Sequence, residues 1–120
     1  MKNKLTLQPT EHQTQQLIMN YLRMKGWYVM RLNSGKYSVG EGRNRRFIMG
    51  QEAGTPDLLC FKDNFYGKGQ DGLVSVCFIE VKAGKNKPTA LQTAKMEELE
   101  QYGARCIVAY GIEDIQKIGL

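Results

Sequence analysis

Two charged side chains stand at the end of an apolar segment, where a charge needs a physical reason. The segment VCFIEV, 76–81, is rich in β-branched and aromatic residues and predicts a buried strand. Glu80 and Lys82 come at its end, and they are expected on one face because side chains alternate along a strand. Burying a charge is costly unless the charge is paired or bound to something. The pair therefore indicates a binding or catalytic site.

A second carboxylate, Asp57, is the second residue of another predicted strand, PDLLCFK. If this strand and the one carrying Glu80 form an antiparallel hairpin, the two acids become cross-strand neighbours. Adjacent carboxylates repel unless a cation lies between them, and oxygen ligands without His or Cys suit Mg²⁺ or Mn²⁺. Lys82 would then contact the scissile phosphate or the attacking water. The pattern predicts a metal-dependent phosphodiesterase; the competing interpretation is a surface ion pair at a hairpin end.

The net charge of +5 is distributed unevenly. The window 31–49 alone carries +4, a second basic cluster follows Glu80, and residues 97–100 are acidic. Such segregation is typical of a protein with a polyanionic partner, although a solvated basic loop would look the same. The predicted contacts to the backbone of such a polyanion are Lys36, Tyr37, Arg43, Arg45, Arg46, Lys85 and Lys87.

The elements that must position these residues follow from local patterns. Helices are predicted from Thr10 to Gly26 and from Thr89 to Gly103, because each begins with a capping box and ends at a glycine. Strands are predicted over 27–33, 56–62, 73–82 and 105–111, with a short strand RRFIM inside the glycine-rich segment 34–54 and a short helix at 112–118. This order predicts an α/β fold with a mixed sheet flanked by helices.

Length and composition favour a single domain over residues 1–120. The chain is 42% hydrophobic and 24% charged, which is typical of a folded globular protein. No transmembrane segment or signal peptide is expected, so the expected location is the cytoplasm. The cysteines are expected to be small buried hydrophobic residues rather than ligands or nucleophiles: Cys60, Cys77 and Cys106.

The motifs GTPD at 54–57 and EVK at 80–82 resemble the signature of the PD-(D/E)xK nucleases, whose core has the order αβββαβ. More narrowly, the chain resembles the VRR-NUC domain, the virus-type replication–repair nuclease module, in its stand-alone phage and bacterial form. Glu11 in the first helix, RLNSG after the first strand and Gln92 in the second helix add to this likeness, which covers the chain from Glu11 to Tyr110.

The resemblance implies roles for individual residues. Asp57 and Glu80 would bind the metal together with the Val81 carbonyl oxygen, and Lys82 would act in catalysis. Glu11 would reach the metal directly or through water, although an acid at a helix N-terminus is favourable without any function. Gln92 would orient groups near Lys82, although a capping box needs such a residue anyway.

The predicted function is a Mg²⁺-dependent DNA endonuclease, with Mn²⁺ as a substitute. By resemblance it would cut four-way (Holliday) junctions as a homodimer, leaving 5′-phosphate and 3′-hydroxyl ends. Two alternatives stay open: a non-catalytic DNA-binding module, or a nuclease for flaps or nicks that works with a helicase or other replication proteins. The dimer interface is expected to be apolar and to draw on the first helix or strand, with Leu17, Met19, Tyr21 and Met30 as candidates.

Overall fold

The computed structural model describes residues 8–32, 36–63 and 73–120, and it has an α/β architecture. The helices are α1 (Glu11–Met24), α2 (Ala90–Gln101) and α3 (Ile112–Lys117), with a 3₁₀ turn at Gly42–Asn44. The strands are β1 (Tyr28–Arg31), β2 (Lys36–Val39), β3 (Arg46–Met49), β4 (Leu58–Asp63), β5 (Val74–Val81) and β6 (Arg105–Ala109). In the described part of the chain, no helix has the length and apolar character needed to cross a membrane.

A four-stranded mixed sheet has the strand order β1-β4-β5-β6. The pairs β1–β4 and β4–β5 are antiparallel, whereas β5–β6 is parallel and is connected through α2. Leu58 pairs with Ile79, so the predicted hairpin between the strands carrying Asp57 and Glu80 is confirmed. The prediction of a mixed sheet flanked by helices is also confirmed.

The main core lies between the sheet and the helices α1 and α3. Ile18 and Leu22 of α1 are fully buried and belong to one cluster with Ile79 and Val81 of β5 and Ile115 of α3. Because side chains alternate along β5, Phe78 and Glu80 face the opposite side of the sheet, where α2 lies. One face of the sheet therefore packs against the apolar core, and the opposite face carries the charged site.

Other side chains in this core correct or confirm predictions made from the sequence. Met19 is only 5% exposed within the core, so the prediction that it contributes to a dimer interface is wrong. Its position on the inward face of α1 explains the difference. Cys60 and Cys77 are buried in the same core and Cys106 is half-buried, as expected for small hydrophobic residues.

Both strands of the site hairpin are shorter than predicted. β4 begins at Leu58, so Asp57 lies just before the strand and is not its second residue, and Lys82 follows the end of β5. Pro56 has no N–H to donate, and the Asp57 side chain accepts the Val81 N–H in place of a backbone acceptor. Asp57 and Lys82 therefore lie at the end of the sheet rather than within its strands.

The glycine-rich segment contains a second small sheet. The predicted strand RRFIM is β3, and it pairs with β2, which the sequence prediction missed. Val39 pairs with Arg46, and the connection passes through Gly40 at φ +84°. A Cβ at Gly40 would lie 2.5 Å from the Asn44 carbonyl oxygen, so this turn requires glycine.

Candidate active site

Asp57 and Glu80 lie at the same end of the β4–β5 hairpin. Continuing the register beyond the Leu58–Ile79 pair places Asp57 opposite Glu80, as the sequence predicted. The Val81 N–H donates a 2.8 Å hydrogen bond to Oδ2 of Asp57, which fixes the carboxylate beside the end of β5. The fold therefore brings together two acids that are separated by more than twenty residues in the sequence.

Glu80 is almost fully buried, with 3% of its surface exposed. Its Oε2 accepts a 3.1 Å hydrogen bond from Nε2 of Gln92 and lies 3.3 Å from Nζ of Lys82. Its other oxygen, Oε1, is buried and has no hydrogen-bond partner in the described structure. A buried carboxylate oxygen without a partner is costly, so this atom is well suited to bind a cation.

The pKa values of the two acids show the same unfavourable environment. Burial, followed by the charge of Asp57, raises the pKa of Glu80 to about 7, while Lys82 partly offsets this rise. Burial also raises the pKa of Asp57, against the effect of the Val81 N–H. A bound cation or proton would relieve the repulsion at this site.

Glu11, the first residue of α1, belongs to the same electrostatic cluster. Its negative charge contributes to raising the pKa of both Asp57 and Glu80. Within the residues that the structure describes, however, no three His, Cys, Asp or Glu side chains form a group that could hold a metal ion. The roles of Glu11 and of the Val81 carbonyl as ligands stay predictions.

The remaining donor set nevertheless fits Mg²⁺. This ion is commonly held by one or two protein carboxylates and completes its octahedral shell with water and substrate phosphate oxygens. Asp57 and Glu80 supply two carboxylates, one of them with an unpartnered buried oxygen. Neighbouring His or Cys ligands, which would favour a softer metal, are not needed.

The capping box of α2 is directly connected to the site. Gln92 accepts the Thr89 N–H through Oε1 at 2.9 Å and donates to Glu80 through Nε2 at 3.1 Å. The structural and functional interpretations of Gln92 are therefore compatible, because one amide group serves both contacts.

The glycine of GTPD also has a structural explanation. Gly54 has φ +90°, and a Cβ there would lie 3.0 Å from both the side chain and the carbonyl oxygen of Leu91. The loop before Asp57 can therefore pass closely over the first turn of α2 only if this residue is glycine.

The predicted basic residues lie on two exposed segments. Lys85 and Lys87 are exposed on the loop between β5 and α2, close in sequence to Lys82. The hydroxyl of Tyr110 donates a 2.7 Å hydrogen bond to the Asn86 carbonyl oxygen and fastens this loop to the end of β6. No local sequence pattern indicates this role of Tyr110, because the contact joins residues that are 24 positions apart.

The other basic segment is the β2–β3 hairpin. Arg43, Arg45 and Arg46 are exposed there. Lys36 and Tyr37 belong to β2, but their side chains lie outside what the structure describes. Leu32, which follows β1, donates its N–H to the Asp57 carbonyl oxygen at 2.8 Å, so the end of β1 lies beside the carboxylate site.

No protein-family model, curated protein or solved structure matches this chain. The function is therefore inferred from the site itself.

Proposed function

We propose that this protein is a Mg²⁺-dependent DNA endonuclease of the PD-(D/E)xK superfamily, of the VRR-NUC type. The observation that carries the proposal is the buried Glu80, with one unpartnered oxygen, opposite Asp57 and in contact with Lys82. A surface ion pair at a hairpin end would be solvated and would need neither burial nor a second carboxylate. This arrangement instead resembles a site that is completed by a cation.

Asp57 and Glu80 would hold Mg²⁺, or Mn²⁺ in its place, and the ion when bound would neutralise phosphate charge and lower the pKa of a water molecule. The Lys82 ammonium lies 3.3 Å from the Glu80 carboxylate and would donate to the phosphate oxygens as negative charge develops in the transition state. Gln92 holds the Glu80 carboxylate in place from α2. The products expected by resemblance are a 5′-phosphate and a 3′-hydroxyl.

DNA is the polyanion that best suits the charge distribution. The arginines of the β2–β3 hairpin and the lysines of the β5–α2 loop are exposed and carry no base-specific pattern, as expected for contacts to phosphates. For junction cleavage, the proposal includes a homodimer, because two symmetric cuts need two copies of a single-site chain.

The test is a cleavage assay on a four-way junction, a flap, a single strand and a duplex, each with Mg²⁺, with Mn²⁺ and with EDTA. Wild-type protein should cut at least the junction when either metal is present. Glu80→Gln should bind DNA but not cut it. Glu97→Gln removes an exposed carboxylate from α2 and should behave as wild type.

The same assay separates the alternatives. Metal-independent cleavage, or full activity of Glu80→Gln, would contradict the proposed site. Tight binding without cleavage under every condition would favour the DNA-binding module. Preferential cleavage of the flap would support the nuclease function and show that its substrate is a flap rather than a four-way junction.

A further inference from the structure

A cavity of about 490 Å³ lies beside the carboxylate pair, between the sheet and α2. Its volume is within the range of sites that bind small organic groups. The cavity is lined by Leu32, Gln51, Glu52, Thr55, Leu59, Phe78, Lys95 and Leu99.

The cavity shares both of its walls with the site. Phe78 lies two residues before Glu80 on the same face of β5, which is a separation of about 7 Å. On α2, Lys95 and Leu99 follow Gln92 at spacings of three and seven residues, so all three lie on one side of the helix. The distance from Glu80 to the cavity is therefore no longer than one nucleotide, so a group attached to a phosphate bound at Glu80 would reach the cavity.

The chemistry of the cavity favours a flat, uncharged ring system. Leu59, Phe78 and Leu99 provide apolar surface, whereas Gln51 and Thr55 provide hydrogen-bonding groups. These are the two kinds of contact that a nucleobase makes through its faces and its edges.

The charge around the cavity disfavours a phosphate. Among the lining side chains that the structure describes, Lys95 contributes the one cationic group, and its ammonium pairs with Glu52 and Glu98. The local balance of these three groups is negative. The phosphates are expected instead on the side of Lys82 and the β5–α2 loop.

We infer that this cavity receives the base of an unpaired nucleotide next to the phosphate that is cut. The inference rests on the proposed nuclease function and adds to it the class of substrate. A base stacked in a duplex cannot enter without being unpaired at a cost in free energy, whereas a base in a single-stranded segment is already accessible and a base pair at a branch point has lost a stacked neighbour and opens at a lower cost. The preferred substrate therefore has unpaired or easily opened nucleotides at the cleavage position.

The first test uses the wild-type chain and changes the DNA. An abasic tetrahydrofuran residue is placed at each position within three nucleotides of the mapped cleavage site of the best substrate. One position should lower the single-turnover rate at sub-saturating protein by about tenfold, because the contacts of one base are lost. A uniform response at all positions would overturn the inference and leave the nuclease function intact.

The second test fills the cavity. Leu99→Trp should lower cleavage of the intact substrate to the level of the critical abasic substrate, and it should abolish the effect of the abasic residue. Met24→Trp, at an exposed position of α1, is the matched control and should respond to the abasic residue as wild type does. Circular dichroism establishes that both variants are folded. An abasic effect that persists undiminished in folded Leu99→Trp would place the base elsewhere.

A third measurement does not depend on cleavage. 2-Aminopurine is placed at the critical position, or at each position of a single-stranded flap if no cut is seen, and its fluorescence is followed in EDTA. Binding to wild type should raise the fluorescence about twofold or more at one position, because the base leaves its stacked neighbours. Leu99→Trp should remove this change. A fluorescence increase with wild type, combined with no cleavage of any substrate in Mg²⁺ or Mn²⁺, would support the cavity and contradict the nuclease. No fluorescence change at any position would contradict the cavity.

Discussion

Gln92 and Glu80 are joined by a 3.1 Å hydrogen bond from the side-chain amide of the first residue to Oε2 of the second. The bond connects the first turn of α2 to the end of β5, and the loop that carries Lys85 and Lys87 joins these two elements along the chain. Because the same amide closes the capping box with Thr89, the start of the helix and the position of the buried carboxylate are fixed together.

Gln92→Ala should reduce both stability and cleavage. It removes one capping hydrogen bond, which is worth about 1 kcal/mol, and it frees the Glu80 carboxylate, which should lower the single-turnover rate about tenfold or more. Gln13→Ala is the matched control, because Gln13 closes an equivalent capping box in α1 without contacting Glu80. Equal loss of cleavage in both variants, measured beside denaturant unfolding, would reduce Gln92 to a capping residue.

Glu80→Gln should abolish cleavage and stabilise the metal-free protein. In EDTA, the folded state keeps a proton on Glu80 up to about pH 7, whereas the unfolded chain loses it near its ordinary value of 4.5. The free energy of unfolding of wild type should therefore fall as the pH rises from 4.5 to 7, by about 3 kcal/mol. Asp57, whose pKa is also raised, acts in the same direction.

The measurement is urea unfolding of both proteins at pH 5 and pH 8. Glu80→Gln should show a smaller difference between the two pH values, and Mg²⁺ should stabilise wild type at pH 8 but not the variant. A wild-type protein that is more stable at pH 8 than at pH 5 in EDTA would contradict the strained carboxylate pair.

Lys82→Ala should affect the chemical step more than DNA affinity. The Lys82 side chain is only 12% exposed, and its ammonium lies beside Glu80, where its charge can act on the transition state. The single-turnover rate at saturating DNA should fall by about 10² or more. Lys87→Ala, which removes an exposed charge from the loop, should weaken binding instead. If saturating DNA restores the rate of Lys82→Ala, this lysine only anchors a phosphate.

The double variant Arg45→Ala, Arg46→Ala should weaken binding to all DNA forms alike. Both side chains are exposed at the start of β3 and are expected to contact phosphates. Each lost contact should reduce the slope of log affinity against log salt concentration by about 0.9 on duplex DNA. The slope is measured by fluorescence anisotropy, and an unchanged value would move the DNA-binding surface away from the hairpin.

Light scattering should report a homodimer of about twice the 13.6 kDa chain mass. Leu17 and Met30 are sufficiently exposed to contribute to an interface, and Met30 lies on the same sheet face as the packed rings of Tyr28 and Phe61. Mixing wild type with an excess of Asp57→Ala should yield nicked junctions, because mixed dimers keep one working site. A monomer that makes paired cuts would contradict this prediction.

Short-range patterns in the sequence determined much of the scaffold. Both capping boxes form as predicted, because a Thr and a Gln three residues apart satisfy the first N–H groups of a helix wherever it packs. The turn-rich link between two β-rich segments also predicted the antiparallel pairing of β4 with β5. Since strand pairing carries Asp57 to the end of β5, the juxtaposition of the two acids was already present in the sequence.

Only the tertiary structure decided the environment of these residues. The burial of Glu80, its unpartnered Oε1 and its contact with Gln92 depend on how α2 packs over the sheet, which no local pattern specifies. The bond from Tyr110 to Asn86 and the cavity beside Phe78 have the same origin. A carboxylate with an ordinary pKa in the unfolded chain becomes a strained group in the fold, because burial removes water and the hairpin places a second negative charge beside it.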